Sequence, residues 1–136
     1  METDINTNFY TIHPRQHILF IQIFSAWDER VANQYLKDIE TVMDRYFSDE
    51  PWAALLELRS WELNTPEAEK KIWDSNRNLS KPVTHVAFVV GRSETKKWQL
   101  EKMLKNVDAF KYRIFIRKGD AEQWLNDSGY NTTRDR

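Results

Sequence analysis

A chain of 136 residues that is 40% hydrophobic and 13% aromatic is long enough to bury one hydrophobic core without a disulfide or a metal. The absence of cysteine excludes a disulfide framework, a thiol nucleophile and a thiolate metal site. The 20 basic and 21 acidic residues leave a net charge of −1, which argues against general nucleic-acid binding, because that function needs a basic face.

The sequence predicts a cytoplasmic protein with one domain. The N-terminus has neither the positive start nor the apolar run of a signal peptide, and no apolar run approaches the ~20 residues of a membrane helix. We expect a loose start over residues 1–8, one domain over residues 9–130 and a polar tail over residues 131–136. The sequence contains no internal repeat and no linker.

The first predicted elements form an antiparallel hairpin. A short strand over residues 9–13 precedes a turn at residues 14–16, where Pro14 suits the start of a turn. Residues 17–24 are nearly all apolar and rich in β-branched side chains, which is typical of a strand buried on both faces. The connection is short, so the two strands are expected to run antiparallel.

The clearest amphipathic helix follows, and either Ser25 or Asp28 is a suitable cap for it. Its apolar residues recur at helical spacing; they are Val31, Ala32, Tyr35, Leu36, Ile39, Val42, Met43, Tyr46 and Phe47. A buried strand starts at Trp52, and an irregular corner comes after it. A second helix is then predicted, with Thr65 as its cap and Pro66 at the first helical position, where a missing N–H costs nothing.

The last third of the chain predicts two more strands and two more helices. Residues 84–90 form a continuous apolar strand, and Ser93 caps the third helix. An edge strand is predicted from apolar side chains that alternate along residues 110–116, namely Phe110, Tyr112, Ile114 and Ile116. Asp120 and Gln123 predict a capping box for a short last helix, which Gly129 is suited to close.

The element order is therefore ββαβαβαβα. It predicts an α/β fold: a single small domain with a mostly parallel five-stranded sheet, an antiparallel first strand and four helices. In sheets of this kind, ligands and partners usually meet the carboxyl ends of the strands.

Several blocks of the sequence resemble a known family. Residues 55–59 (Leu-Leu-Glu-Leu-Arg) are similar to an apolar strand that ends in an acidic residue, and residues 121–125, with Ala and Trp-Leu, are similar to the family's last helix. Residues 86–90 and 96–98 also match. From about residue 9 to residue 130, the chain resembles the STAS superfamily, and within it the SpoIIAA-like proteins of bacteria, which include anti-sigma-factor antagonists. The resemblance implies a SpoIIAA-like fold and a non-enzymatic interaction or regulatory role.

One departure from the family concerns its phosphorylation site. Phosphorylated antagonists carry an Asp-Ser-Ser-Gly type of corner after this strand. Residues 64–68 of this chain are instead Asn-Thr-Pro-Glu-Ala, so the serine pair is missing. The phosphoserine switch is therefore not carried over to this protein.

The corner after the Trp52 strand is the predicted partner site, since Trp61 and Leu63 stand in an otherwise polar loop at the carboxyl end of a central strand. The candidate residues are Trp61, Leu63, Asn64, Thr65 and Glu67. We expect Trp61 to be at least partly exposed, because the loop between strand and helix is short. The alternative is that Trp61 and Leu63 tuck onto the core.

A second candidate is an anion site in the turn that opens the third helix. Free backbone N–H groups at a helix start attract anions, and basic side chains add to this attraction. The candidate residues are Arg92, Ser93, Lys96 and Lys97. The alternative is a solvated basic turn that Glu94 neutralises in part.

The other chemistry-bearing residues have structural interpretations. Glu57 lies within a strand and needs a partner, for which Arg59 or Arg92 is suitable; a catalytic carboxylate is the alternative. His13 and His17 flank the hairpin turn and are placed to face each other, but no third metal ligand is near them.

The remaining expectations concern His85, two tryptophans and the partners. His85 is expected to make an ordinary hydrogen bond, and Trp73 and Trp98 are either surface aromatics or packed between helices. We expect no metal, no cofactor, no enzyme activity, no nucleic acid and no membrane. The expected partner is a protein of unknown identity that binds a monomer or homodimer. The alternative is a carrier or sensor of a small apolar or anionic ligand.

Overall fold

Six strands form one sheet in chain order. The computed structural model describes residues 4–47, 50–62, 83–105, 110–130 and 132. The strands are β1 (Ile5–Asn6), β2 (Tyr10–Arg15), β3 (Ile18–Ile23), β4 (Trp52–Glu57), β5 (Val83–Val89) and β6 (Lys111–Phe115). The helices in this part of the chain are α1 (Glu29–Tyr46), α2 (Glu94–Leu104) and α3 (Lys118–Asp127).

The strand directions confirm the predicted topology. Strands β3, β4, β5 and β6 run parallel to one another, and β2 pairs antiparallel with β3. The sheet has one strand more than predicted, because Ile5 and Asn6 pair antiparallel with Ile12 and Thr11 instead of forming a loose start. A strand of two residues has no periodicity that the sequence could reveal. The helix predicted to start at Thr65 and Trp73 within it lie outside the described residues.

The hairpin turn lies later than predicted. Pro14 is inside β2, opposite Leu19, and the turn falls at Gln16 and His17. Gln16 adopts a left-handed φ of 56°, which gives the tight reversal. Proline is tolerated in a strand at a position whose nitrogen is not needed as a hydrogen-bond donor to the neighbouring strand. Pro14 therefore did not indicate the position of the turn.

Two of the predicted helix starts are confirmed and one is wrong. Asp28 caps α1 by accepting a hydrogen bond from the Val31 N–H at 3.0 Å, and Ser93 caps α2 by accepting one from the Lys96 N–H at 3.2 Å. Helix α3 starts at Lys118, and its cap residue makes no side-chain capping bond. Asp120 therefore lies in the first turn, where the helix dipole favours an acid, and does not form the predicted capping box.

Gly129 closes α3 as predicted. Its φ is +100°, and its N–H donates to the Asn126 carbonyl at 3.1 Å. The next N–H, that of Tyr130, donates to the Leu125 carbonyl at 2.9 Å, which completes a Schellman motif. The motif turns Tyr130 back against the sheet, where it packs on buried residues.

Helices cover both faces of the sheet. Helices α1 and α2 pack on one face and form the first core, which includes Tyr10, Leu19, Ile39, Ala54 and Leu100. Helix α3 packs on the other face and forms the second core; the buried residues of that core are Ile18, Phe20, Ala53, Leu55, Ala87, Val89, Ala121 and Leu125. Strand β4 contributes to both cores, as expected of a central parallel strand.

Strand β6 is the half-exposed last strand that the alternation predicted. Its Tyr112 and Ile114 pack on the first core, and Phe115 packs on the second. Ile116, predicted on the inner side, is 51% exposed because β6 ends at Phe115. In the described part of the chain, no helix is both long and apolar enough to cross a membrane.

Candidate functional site

The loops after the parallel strands leave the sheet from one edge. The Leu58 N–H donates to the Val89 carbonyl at 2.8 Å, and the Val90 N–H donates to the Phe115 carbonyl at 3.0 Å. These bonds extend the ladders one residue beyond the ends of β4 and β5. The corner, defined here as residues 58–62, therefore starts from a fixed position at the carboxyl edge, where this class of sheet usually binds its partners.

Trp61 is buried in the first core, so the expectation of an exposed Trp61 is wrong. Its exposure is only 4%. The Trp61 N–H donates to the Leu58 carbonyl at 3.1 Å, which closes a tight turn through Arg59 and Ser60. The turn returns the chain to the sheet so soon that even a short loop can bury the indole.

Ser25 pairs with this returning segment. The Ser25 N–H donates to the Ser60 carbonyl at 2.9 Å, and the Glu62 N–H donates to the Ser25 carbonyl at 3.0 Å, so that Ser25 and Trp61 form a parallel bridge. Ser25 has a positive φ of 60°, which is uncommon for a residue other than glycine. The sequence suggested Ser25 only as a helix cap, and nothing local indicated a bridge to a residue so distant in the chain.

The described corner presents a polar rim to solvent. Arg59, Ser60 and Glu62 are exposed, while Leu58 and Trp61 lie beneath them. The other predicted partner-binding residues lie outside the described residues; they are Leu63, Asn64, Thr65 and Glu67. In the described part of the corner, a polar rim therefore takes the place of the exposed Trp61 that was expected.

Glu57 makes the ion pair with Arg59 that the sequence predicted. Glu57 is a buried residue with an exposure of 8%. Its Oε1 accepts a hydrogen bond from Arg59 Nε at 2.7 Å. Its Oε2 accepts one from the Arg59 backbone N–H at 3.2 Å. The hydrogen bond to Glu57 is the main reason that the pKa of Arg59 is raised above its ordinary value. Glu57 therefore holds Arg59 in a fixed position across the edge of the sheet.

The start of α2 braces the corner from the other side. The Lys96 ammonium donates to the Arg59 carbonyl at 2.5 Å. Gly91 has a φ of 69°, and a Cβ there would stand 3.1 Å from Arg59 Cγ, so glycine lets the arginine stem lie across the turn. Among the predicted anion-binding residues, Ser93 and Lys96 thus have structural contacts, while Arg92 and Lys97 are exposed.

The histidines have separate partners. His13 Nδ1 is 3.3 Å from Asp4 Oδ2, and His17 Nε2 is 3.0 Å from Glu50 Oε1, so the two side chains do not form one site. Within residues 4–47, 50–62, 83–105, 110–130 and 132, no group of three or more histidine and acidic side chains is placed to hold a metal ion.

His85 belongs to a small polar cluster at the amino end of β5. Its Nδ1 is 2.9 Å from Thr84 Oγ1, which is the ordinary hydrogen bond that the sequence predicted. Thr84 Oγ1 in turn lies 2.5 Å from the Tyr130 hydroxyl. Burial, with a contribution from the charge of Lys111, lowers the pKa of His85 below its ordinary value. The cluster connects Tyr130, which follows α3, to the sheet. It lies at the amino end of β5, whereas the corner lies at the carboxyl edge of the sheet.

The comparison with solved structures supports this architecture. No family model and no curated protein matches the sequence. Among solved structures, the chain is similar to an uncharacterized protein of the DUF3478 family with a SpoIIAA-like fold from Shewanella loihica PV-4. The identity is 16% and the TM-score 0.70, covering 89% of this chain and 97% of that chain.

It is also similar to the anti-sigma factor antagonist SpoIIAA in its unphosphorylated form. Here the identity is 9% and the TM-score 0.56, covering 88% of this chain and 98% of that chain. At these identities the likeness concerns the fold. The strand directions, the helices on both faces and these two relatives lead to one conclusion: this chain has a SpoIIAA-like fold.

Proposed function

We propose that this protein is a non-enzymatic interaction or regulatory module that docks a protein partner through the corner after β4, without a phosphoserine switch at residues 64–68. The SpoIIAA-like fold supports the general role, because one of its solved relatives is named as an anti-sigma factor antagonist. The specific site is supported by a single observation: the backbone of the corner is fixed while its polar side chains face solvent.

The fixed backbone favours binding because little order must be gained when a partner arrives. Ordering one flexible side chain at an interface costs about 0.5–1.5 kcal/mol, and ordering a loop adds to that cost. In this corner, Trp61 fills the core below, Ser25 holds the segment on one side, and Lys96 holds the Arg59 carbonyl on the other. A partner would therefore meet a surface that is already in place.

The rim carries both signs of charge, which favours a protein partner. Arg59 is exposed near the start of α2, together with Arg92 and Lys97, and Glu62 is exposed beside Ser25. A mixed rim of this kind selects a partner with a complementary arrangement of charges, because like charges brought together at an interface oppose binding.

The test is affinity capture from the native host with the tagged wild-type protein and two variants. The double variant Ser60→Arg, Glu62→Lys changes only exposed side chains of the corner, and Glu40→Lys, on the exposed side of α1, is the matched control. Proteins retained by wild type and control but lost by the double variant are identified by mass spectrometry, and binding is then measured with purified components.

The expected result is a purified partner whose affinity falls at least tenfold with the double variant and is unchanged with the control, while all three proteins melt within a few degrees of one another. If the purified partner binds the double variant as tightly as it binds the wild type, the corner is not the docking site.

A small anionic ligand is the second candidate, and the exposure of Arg92 and Lys97 beside the first turn of α2 favours it. The first N–H groups of a helix have no partner within the helix. Ser93 accepts from the Lys96 N–H. An anion would therefore meet the amides at the very start of α2, near the exposed residues Arg92 and Lys97.

A further inference from the structure

Trp98 is the most exposed large apolar side chain among the described residues. It lies in α2 and is 61% exposed, although α2 buries Leu100 and Leu104 in the first core. The Lys102 ammonium lies 5.3 Å from the centroid of the indole ring, so a cation–π contact helps to hold the ring in place. An exposed tryptophan held in place on a regular helix is typical of an interaction surface.

The neighbours of Trp98 form a symmetric pattern. Glu94, Trp98 and Lys102 are spaced four residues apart, and all three are exposed, so they form one row along the outer side of α2. We call this row the Trp98 stripe. It carries an acid at one end, an aromatic ring in the middle and a base at the other end, and is therefore neutral as a whole.

This pattern is complementary to itself. When two identical helices pack antiparallel about a two-fold axis at the central residue, each end of the row meets the opposite end of its copy. Glu94 of each chain then faces Lys102 of the other, and the two Trp98 rings meet at the axis. Rows with a spacing of four residues are also the rows that commonly interdigitate when helices pack.

We propose that the Trp98 stripe is covered by a second copy of this chain in an isologous homodimer. The contact consists of antiparallel α2 helices, with one Glu94–Lys102 pair on each side of the paired Trp98 rings. Each Lys102 then lies between the indole of its own chain and a carboxylate of the other. The proposal does not depend on the docking corner and concerns a different surface.

The charges argue against other occupants of this surface. Because the stripe has one acid and one base, neither an acidic nor a basic surface finds only complementary charges on it. Pairing of two copies through the edge of β6 is also disfavoured, because Lys111 and Arg113 project from the same side of that strand and would meet each other across the two-fold axis.

The size of the contact predicts a weak dimer. A single helix pair lies at the small end of specific interfaces, whose standard size is about 1,600 Å² of total buried surface. Monomer and dimer should therefore exchange and depend on protein concentration. Sedimentation velocity over a wide concentration range measures this equilibrium directly, on the full-length chain.

Charge-reversal variants distinguish the proposed pairing from nonspecific association. Glu94→Lys and Lys102→Glu each place like charges opposite each other twice in the dimer, and each should raise the dissociation constant at least tenfold. The double variant Glu94→Lys, Lys102→Glu reverses the pattern but keeps it self-complementary, so it should return to within about threefold of the wild type. Glu40→Lys on α1 is the control and should dimerise like the wild type.

Melting curves at low concentration verify that the variants fold. The proposal is overturned if the wild type sediments as a monomer at every concentration, if the single reversals dimerise like the wild type, or if the folded double variant does not regain dimerisation. A dimer that survives while the corner variants lose their partner would show that the two surfaces act separately.

Discussion

The burial of Trp61 predicts a large loss of stability when its side chain is removed. Trp61→Ala deletes an indole that is 4% exposed and packs in the first core beneath the corner. Trp98→Ala makes the same chemical change at a side chain that is 61% exposed. The two variants therefore form a matched pair in which only the surroundings differ.

The expected magnitudes follow from burial. A buried tryptophan covers roughly 150–250 Å², which at about 25 cal/mol per Å² corresponds to about 4–6 kcal/mol. Measured truncations of buried aromatic residues to alanine cost about 3–5 kcal/mol, which we take as the expectation for Trp61. Trp98 loses little burial and a cation–π contact of about 0.5–1 kcal/mol, so its loss should stay below about 1 kcal/mol.

Urea unfolding followed by circular dichroism measures both changes at a protein concentration low enough to keep the chain monomeric. At about 2–5 °C per kcal/mol for a domain of this size, the loss of about 3–5 kcal/mol in Trp61→Ala should also lower the melting temperature by about 6–25 °C. Trp98→Ala should lower it by a few degrees at most. Equal losses of stability in the two variants, or a loss below about 1 kcal/mol for Trp61→Ala, would refute the assignment of Trp61 to the core.

Three further predictions concern charged contacts. Arg59→Ala should destabilise the protein by about 1–3 kcal/mol in urea unfolding, because the buried Glu57 carboxylate loses its charged side-chain partner and keeps only the backbone N–H of residue 59. Glu57→Gln should remove most of that effect in the double variant. The hydrogen bond from Arg15 lowers the pKa of Asp4 to about 2, so the stability that Asp4 contributes is complete above its ordinary pKa of 3.8 and is lost as the pH falls from there towards 2. Across this pH range, the melting temperature of the wild type should fall more steeply with decreasing pH than that of Asp4→Asn. If the turn before α2 binds anions, phosphate compounds should raise the melting temperature of the wild type and have less effect on Arg92→Ala, Lys97→Ala; no shift in the wild type would leave that site unsupported.

The sheet was predictable because its signals are local. The apolar run of β3, the apolar run of β5 and the alternation of β6 each identify a strand from its own residues. The short hairpin connection and the crossover helices then determine the strand directions. No distant contact had to be known in order to predict the directions of β2 through β6.

The wrong predictions concern elements whose start is determined by a distant part of the chain or by a competing local signal. Ile5 and Asn6 form a strand only because β2 offers an edge to them. Asp120 and Gln123 match a capping box, but α3 starts two residues earlier, at Lys118, where no side-chain cap is made. The capping-box pattern was real, but the surrounding structure determined where each of the two elements begins.

The two tryptophans show why the candidate site was harder to predict than the fold. Trp61 and Trp98 both follow a polar residue in the chain, and the composition around them does not distinguish them. What distinguishes them is pairing: Ser25 draws the Trp61 segment back to the sheet, whereas Trp98 lies in a helix whose inner positions are already filled by Leu100 and Leu104. Because the first is determined by a bridge across 36 positions of the chain, only the assembled structure shows that the corner offers a polar rim and that the exposed indole is on α2.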